Sequence, residues 1–411
     1  MAKMKAVVKA IPAHGRDWEK GFQLIEKDVP EVGKPTDVKM EVVAAAVCGT
    51  DVGIYNSKES LREEMSVVES NSVTVGHEFC GRIVDAGSEG RVHLARLLIA
   101  KSAERKPVAE FVRQRKAEEL AADKDLVDFL KERFYSTAEM HITCGTCFQC
   151  RIGQRHVCRN TIIKGIQVDG AFAQFITVPA ENVRIYFDGE IPPSIIAFMD
   201  AIGNATHTVQ SVDVRGKNVA VLGCGVQGLM ATAVTKYAGA KTIFVTDASH
   251  GKFSHEKLKN GRFRLAKLYG ADECFDVHID REREGLYQAV KDRTGDTGVD
   301  VVFEMSGNYK AYEDAFHVVR RGGAISLLGL PGGHMVVDFS KDIIFRGITI
   351  HGIIGRRVFE TWDLMEKILK DGLAGEFLNS GFITHDLPLE KFEEGFQAIM
   401  EGDALKVLLR P

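Results

Sequence analysis

The run KNVAVLGCGVQG (217–228), followed by the apolar LMATAVTKYAG and by IFVT ending at Asp247, constrains the fold of this chain more than any other feature. A valine-rich strand, glycines spaced G-x-G-x-x-G, an apolar helix and a second strand ending in an acid together make a β-α-β unit. Gly223 permits the tight turn, Gly225 lets a ligand approach the backbone, and Gly228 allows the helix to pack closely on the strand. The helix start at Val226 and Gln227 offers unpaired N–H groups to phosphates. Asp247 is placed to accept from both hydroxyls of an adenosine ribose, which favours NAD over NADP. The basic stretch HGKFSHEKLKNGR (250–262) directly after it offers cations to an extra phosphate, or is a solvated loop.

Further strands extend a doubly wound parallel sheet: VDVVFEMSG (299–307), a helix around YKAYEDAFHVV, and GGAISLLGLPGG (322–333). Ligands of such sheets lie at the carboxyl ends of the strands, so Ser306, Gly307, Leu330 and Pro331 are expected to border a nicotinamide. Upstream, MKAVVKA, DVKMEVVAAAV, SVTVGHEFCGRIVDAG and GAFAQFITVP read as short strands of an antiparallel, barrel-like module. With 411 residues, 45% hydrophobic content and a net charge of −4, the chain has material for two cores and no charge bias toward a polyanion. No basic patch with interleaved aromatics points to nucleic acid, and no apolar run reaches the roughly 18 to 20 residues of a membrane span. The start of the chain lacks the pattern of a secretory signal, so a cytoplasmic location is expected.

In a reducing compartment a dense cysteine cluster reads as a metal site. Cys144, Cys147, Cys150 and Cys158 can surround one tetrahedral zinc as a closed structural site, with Gly145 and Gly153 easing the fold of the loop. An iron–sulfur cluster takes the same four ligands, and accidental spacing is the third reading. A second candidate lies in VCGTD and VGHE. Cys48, His77 and Glu78 make a plausible three-ligand site with an open position, and Thr50 and Asp51 stand beside Cys48. Cys80, Cys224 and Cys274 read as small core residues.

The order CGTD, GHE, four clustered cysteines and G-x-G-x-x-G resembles the zinc-dependent medium-chain alcohol dehydrogenase superfamily over nearly the whole chain. Within it, EMHITCGTCFQCRIGQRHVCRNT (139–161), GNATHT (203–208) and GIIGRRVFETW (352–362) are most similar to the L-threonine 3-dehydrogenase branch. The resemblance implies an α/β fold: a GroES-like, β-rich catalytic domain over 1–200, a Rossmann NAD-binding domain over 201–345, and a return to the catalytic domain over 346–411. It implies one catalytic and one structural zinc per chain, NAD as cofactor, a small secondary alcohol as substrate, and a homo-tetramer or dimer. Cys48, His77 and Glu78 become the catalytic zinc ligands, with Asp200 as a fourth or alternating one. Thr50 matches the hydroxyl that relays the substrate proton, His141 a histidine of the substrate pocket, and Ile353, Ile354 and Gly355 a loop near the nicotinamide.

Two departures qualify the substrate. Relatives read CGTDVHIY where this chain has Gly53, so the relay is shortened and the pocket loses a polar contact, which keeps a polyol or sugar alcohol open beside L-threonine. Residues 91–136 replace a short turn, and their Ala, Leu, Glu, Lys and Arg content predicts two or three helices interrupted near Pro107: a lid, a subunit contact or a surface appendage. A non-catalytic cofactor-binding assembly protein on the same scaffold is the remaining reading.

Overall fold

The computed structural model describes residues 2–11, 18–68, 70–251 and 253–411; Met1, and Lys252 of the basic stretch, lie outside the described residues. The chain forms two compact units. The first comprises Met1–Asp200, Ile383–Met400 and Lys406–Pro411, and the second Ala201–Phe382 and Glu401–Leu405. The chain therefore returns to the first unit at Ile383 rather than at the expected residue 346. Thr349–Gly352 is the sixth strand of the parallel sheet, and helix Glu360–Ile368 follows it within the second unit.

The second unit holds that six-stranded sheet. Its spatial order is Glu273–Asp276, Thr242–Asp247, Asn218–Leu222, Val299–Glu304, Val319–Leu327 and Thr349–Gly352, all parallel. Numbered along the chain this is 3-2-1-4-5-6, the doubly wound order, and its central strands read as the near-continuous apolar runs that a sheet covered on both faces requires.

The first unit is mainly antiparallel. Its larger sheet runs Val183–Phe187, Phe134–Ala138, Phe79–Ala86, Asp37–Ala46, Lys406–Arg410 and Ile383–Pro388, with Phe175–Pro179 also on Asp37–Ala46. A smaller sheet joins Gln23–Asp28, Lys3–Ala10 and Ser72–Thr74. The stretch read as one strand, SVTVGHEFCGRIVDAG, is two strands in different sheets, Ser72–Thr74 and Phe79–Ala86. The break falls on Val75 to Glu78. There Gly76 has φ +89°, and a Cβ on it would lie 2.2 Å from the Phe172 ring, so only glycine allows the chain to cross between sheets at this point. His77 and Glu78 sit in that crossing, off both ladders.

The inserted segment forms four helices rather than two or three: Ser88–Lys101, Lys106–Val112, Ala117–Ala122 and Leu126–Arg133. Pro107 lies in the first turn of the second, where its missing N–H costs nothing. The segment ends at Arg133, because Phe134–Ala138 already belongs to the sheet. Leu94, Leu98, Val108, Leu120, Leu126 and Leu130 are fully buried. Phe111 stacks on Phe129 at 4.0 Å, and Arg91 Nε donates to Ala121 O at 2.7 Å. This is a packed helical layer built onto strand Phe79–Ala86, not a loose appendage. Leu130→Ala should therefore lower stability by about 2–5 kcal/mol, read as a fall in melting temperature, whereas Lys106→Ala on the exposed side should leave it within about 0.5 kcal/mol.

Candidate metal centres and dinucleotide site

Helix Gly49–Tyr55 begins with Cys48 as its N-cap, and Asp51 Oδ2 accepts the Cys48 N–H at 2.9 Å. The short cap turns the Cys48 side chain toward the Val75–Glu78 crossing. One donor atom each from Cys48, His77 and Glu78 lies within 4.8 Å of the others. Asp51 Oδ1 stands 3.4 Å from His77 Nδ1, the side of the ring left for a carboxylate when a metal takes Nε2. Burial pulls the His77 pKa down, but the Asp51 carboxylate and the Cys48 thiol outweigh it and hold it well above the usual value.

Glu78 is fully buried. Its Oε2 accepts from the Lys406 ammonium, while Oε1 accepts no hydrogen bond among the described residues. Burial raises its pKa, and Lys406 opposes that rise. A thiol, an imidazole and a buried carboxylate with an unused oxygen form a donor set that suits zinc.

Asp200 belongs to an adjoining group. Its carboxylate, Glu139 and His141 have donor atoms within 4.8 Å of one another. Glu139 Oε1 accepts both the His141 backbone N–H at 3.0 Å and meets its Nδ1 at 2.8 Å, which fixes the ring. Asp200 also acts on Glu78 through its charge. Neither Glu139 nor Lys406 was singled out by sequence. Glu139 stood in a quoted motif two residues before His141, whereas nothing in the sequence links position 406 to position 78.

The four-cysteine loop fits one ion. Cys158 Sγ lies 3.5 Å from Cys144 Sγ and 3.9 Å from Cys147 Sγ, and all four sulfurs fall within 4.8 Å. A tetrahedron with zinc–sulfur arms of about 2.3 Å has edges of about 3.8 Å. The several metal atoms of an iron–sulfur cluster would hold the four thiolates further apart, so the spacing favours zinc. N–H groups of Thr146 and Cys147 lower the Cys144 pKa to about 5, toward the thiolate a metal needs. All eight cysteines are free thiols; Cys80 and Cys224 are buried, and Cys274 is only half-buried.

In the second unit the glycine loop has the expected division of labour. Gly223 has φ +101°, and a Cβ on Gly228 would lie 1.7 Å from Gly223 O. A Cβ on Gly225 would meet nothing within 4 Å, so the chain leaves open space over that residue. Helix Val226–Tyr237 starts there, and Gln227 Oε1 is buried without a hydrogen-bond partner. The cradle suits a pyrophosphate at a helix N-terminus.

Asp247 ends its strand as expected, but its Oδ2 is engaged by Arg262 Nη1 at 2.8 Å, and Arg262 lies over the Phe253 ring. The basic stretch thus brings one arginine onto the acid. Glu304 Oε1 accepts from Ser306 N and Oγ and from Gly307 N, shaping the turn after its strand. Leu330 is 95% exposed and Ile354 57%, while Ile353 N donates to Leu327 O at 2.9 Å. Behind Ile353–Gly355, His207 Nδ1 meets Gly355 O at 3.0 Å, and the buried Arg356 reaches Asn204 Oδ1 at 3.2 Å. A Cβ on Gly203 would lie 2.2 Å from Arg356 Cδ, so the GNATHT glycine makes room for the arginine that anchors this loop.

Comparison with known proteins agrees with both halves. The family described as alcohol dehydrogenase GroES-like domain matches residues 34–100, and the one described as zinc-binding dehydrogenase matches 227–371. The chain is 35% identical over 408 residues to an L-threonine 3-dehydrogenase of Caldanaerobacter subterraneus, covering 99% of each chain. It is 33% identical over 409 residues to an L-threonine 3-dehydrogenase of Bacillus subtilis, covering 100% of this chain and 99% of that one. Among solved structures, an alcohol dehydrogenase of Thermotoga maritima superposes with a TM-score of 0.75 at 20% identity, covering 100% of both chains.

Metal content separates the two centres. Wild type should carry two zinc ions per chain. Cys158→Ser and Cys48→Ser should each lower that to one by elemental analysis, and Cys158→Ser should cost more thermal stability, because a closed four-thiolate site pins a loop.

Proposed function

The chain belongs to the zinc-binding alcohol dehydrogenase family, and from this membership we propose that it oxidises the secondary hydroxyl of L-threonine to 2-amino-3-oxobutanoate, with reduction of NAD. The observation that carries the reading is the Cys48, His77 and Glu78 donor set, with a buried oxygen of Glu78 left unused.

Zinc held by these residues would supply Lewis acidity that makes a secondary hydroxyl a stronger acid, and a nicotinamide cofactor would supply the hydride acceptor. The chain does the rest. Asp51 orients His77 from behind, and Glu139 fixes the ring of His141 on the substrate side. Thr50, half-buried in the first turn of helix Gly49–Tyr55, takes the hydroxyl proton and passes it toward solvent. Gly223, Gly225 and Gly228, with the N–H groups at Val226 and Gln227, hold the pyrophosphate, and Asp247 receives the adenosine ribose. Ser306, Leu330, Ile353 and Ile354 line the nicotinamide end. Asp200, whose charge acts on Glu78, would serve as a fourth or alternating ligand. The retained donor set speaks against a non-catalytic assembly role.

One observation favours a second substrate class. A Cβ on Gly53 would lie 2.8 Å from Leu61 Cδ1, so a methyl group fills the space a side chain at position 53 would need. Position 53 therefore carries no polar side chain to meet an amino acid's charged groups, and a polyol or sugar alcohol stands as the second substrate class.

We place the protein in the cytoplasm, in keeping with its unpaired cysteines; among the described residues no helix is long and apolar enough to cross a membrane. We also assign it a homo-oligomer, a tetramer or a dimer. The outer strand Thr349–Gly352 leaves one row of backbone groups unpaired, and Phe339, Ile344, Phe345 and Ile350 are exposed near it.

NADH formation tests the substrate. Turnover of L-threonine, lost in Cys48→Ser, supports the proposal; turnover of sorbitol or xylitol with threonine inert moves it to a polyol. Gly53→His should lower the melting temperature through its clash with Leu61, and Leu61→Ala in the same chain should recover it. Asp247→Ser should weaken NADH binding by tenfold or more and shift preference toward NADPH, as read by cofactor titration. Ile344→Asp with Phe345→Asp should lower the mass of the particle in light scattering.

A further inference from the structure

Lys406 opens the last strand of the chain, and its side chain is 1% exposed. Its ammonium donates to Glu78 Oε2 and to Val47 O, the latter at 3.0 Å, and lies 5.5 Å from the Phe198 ring. Val47 immediately precedes Cys48, and Glu78 immediately follows His77. One buried cation therefore ties together the two segments that carry the donor set. Backbone bonds lace the same point: Ala46 N to Glu78 O at 2.9 Å, and Val47 N to Val407 O at 3.0 Å.

A buried carboxylate needs a counter-charge or hydrogen bonds at all times, and a zinc ion supplies one only while it is bound. Lys406 supplies it permanently, and to one oxygen only. The other, Oε1, accepts no hydrogen bond among the described residues, so its lone pairs remain available to a metal.

Resting on the zinc reading given above, we propose that Lys406 is a positioning residue that holds Glu78, and through Val47 the Cys48 segment, in place when the metal is absent, so that the donor set outlasts metal loss and accepts zinc without rebuilding. With zinc bound, the metal shares the load on Glu78 and the lysine matters less. A purely structural lysine would matter equally in both states.

The test compares thermal unfolding of wild type, Lys406→Met and Lys406→Met with Glu78→Gln. Wild type and Lys406→Met are prepared with two zinc ions per chain and, after dialysis against a weak chelator, with only the four-cysteine ion; the double variant, which lacks the Glu78 ligand, is prepared in the one-zinc form, with metal content measured on every sample. Lys406→Met should fall by about 10 °C in the one-zinc form and by less than half of that in the two-zinc form. The double variant, which removes both charges, should recover most of the one-zinc loss. Equal falls in the two forms, or a double variant as unstable as the single one, overturn the proposal. If wild type takes no second zinc, or Cys48→Ser keeps it, the metal reading itself fails, and the proposal falls with it by a separate observation.

Discussion

Burying negative donors in a protein interior is the constraint that the first unit is built around. Asp51, Glu78, Glu139 and Asp200 are all buried. A lone ionised carboxylate in such a place is too costly to persist, so partners gather on these groups. Asp51 takes the Cys48 N–H and faces His77, and Glu139 takes both the N–H and the ring of His141. Glu78 takes Lys406. These contacts leave little freedom in where the segments around residues 48, 78, 140 and 406 can run.

Connectivity follows from that. The cation for Glu78 comes from the last strand, so the chain has to leave for the second unit and come back before the centre is complete. The return strand docks on Asp37–Ala46, the strand that leads into Val47 and Cys48. The break after Ser72–Thr74 serves the same end, since a continuous strand through Val75 to Glu78 would bury His77 or Glu78 in a ladder and aim alternate residues at opposite faces. Gly76 makes the break feasible.

What could be read in the sequence was what is local. Four cysteines within fifteen residues, and three glycines within six, declare their geometry because the spacing itself sets it. The pairing of Cys48 with His77 and Glu78 was weaker on spacing and gained force from resemblance. Lys406 beside Glu78 and Arg356 beneath Gly203 depend on tertiary packing over hundreds of residues, and no periodicity reports them. The return point at Ile383 was misplaced because a sixth parallel strand and a following helix look, in sequence, like any strand and helix. The inserted helices were visible as helical composition, but their number was not: Arg113 and Asp123, where helices stop, are not strong breakers.

At the cofactor end the acid has a partner that the local sequence does not reveal. Taken alone, Asp247 repels an extra phosphate on the ribose. In the fold it is half of a pair, with Oδ1 accepting the Ala248 N–H at 2.9 Å and Oδ2 facing Arg262. A carboxylate has about four acceptor positions, so two ribose hydroxyls can still donate to it. The guanidinium nevertheless cancels much of its field. Under the proposed role of Asp247 at the ribose, Arg262, beside that carboxylate and over the Phe253 ring, is a cation that an extra 2′ phosphate would meet.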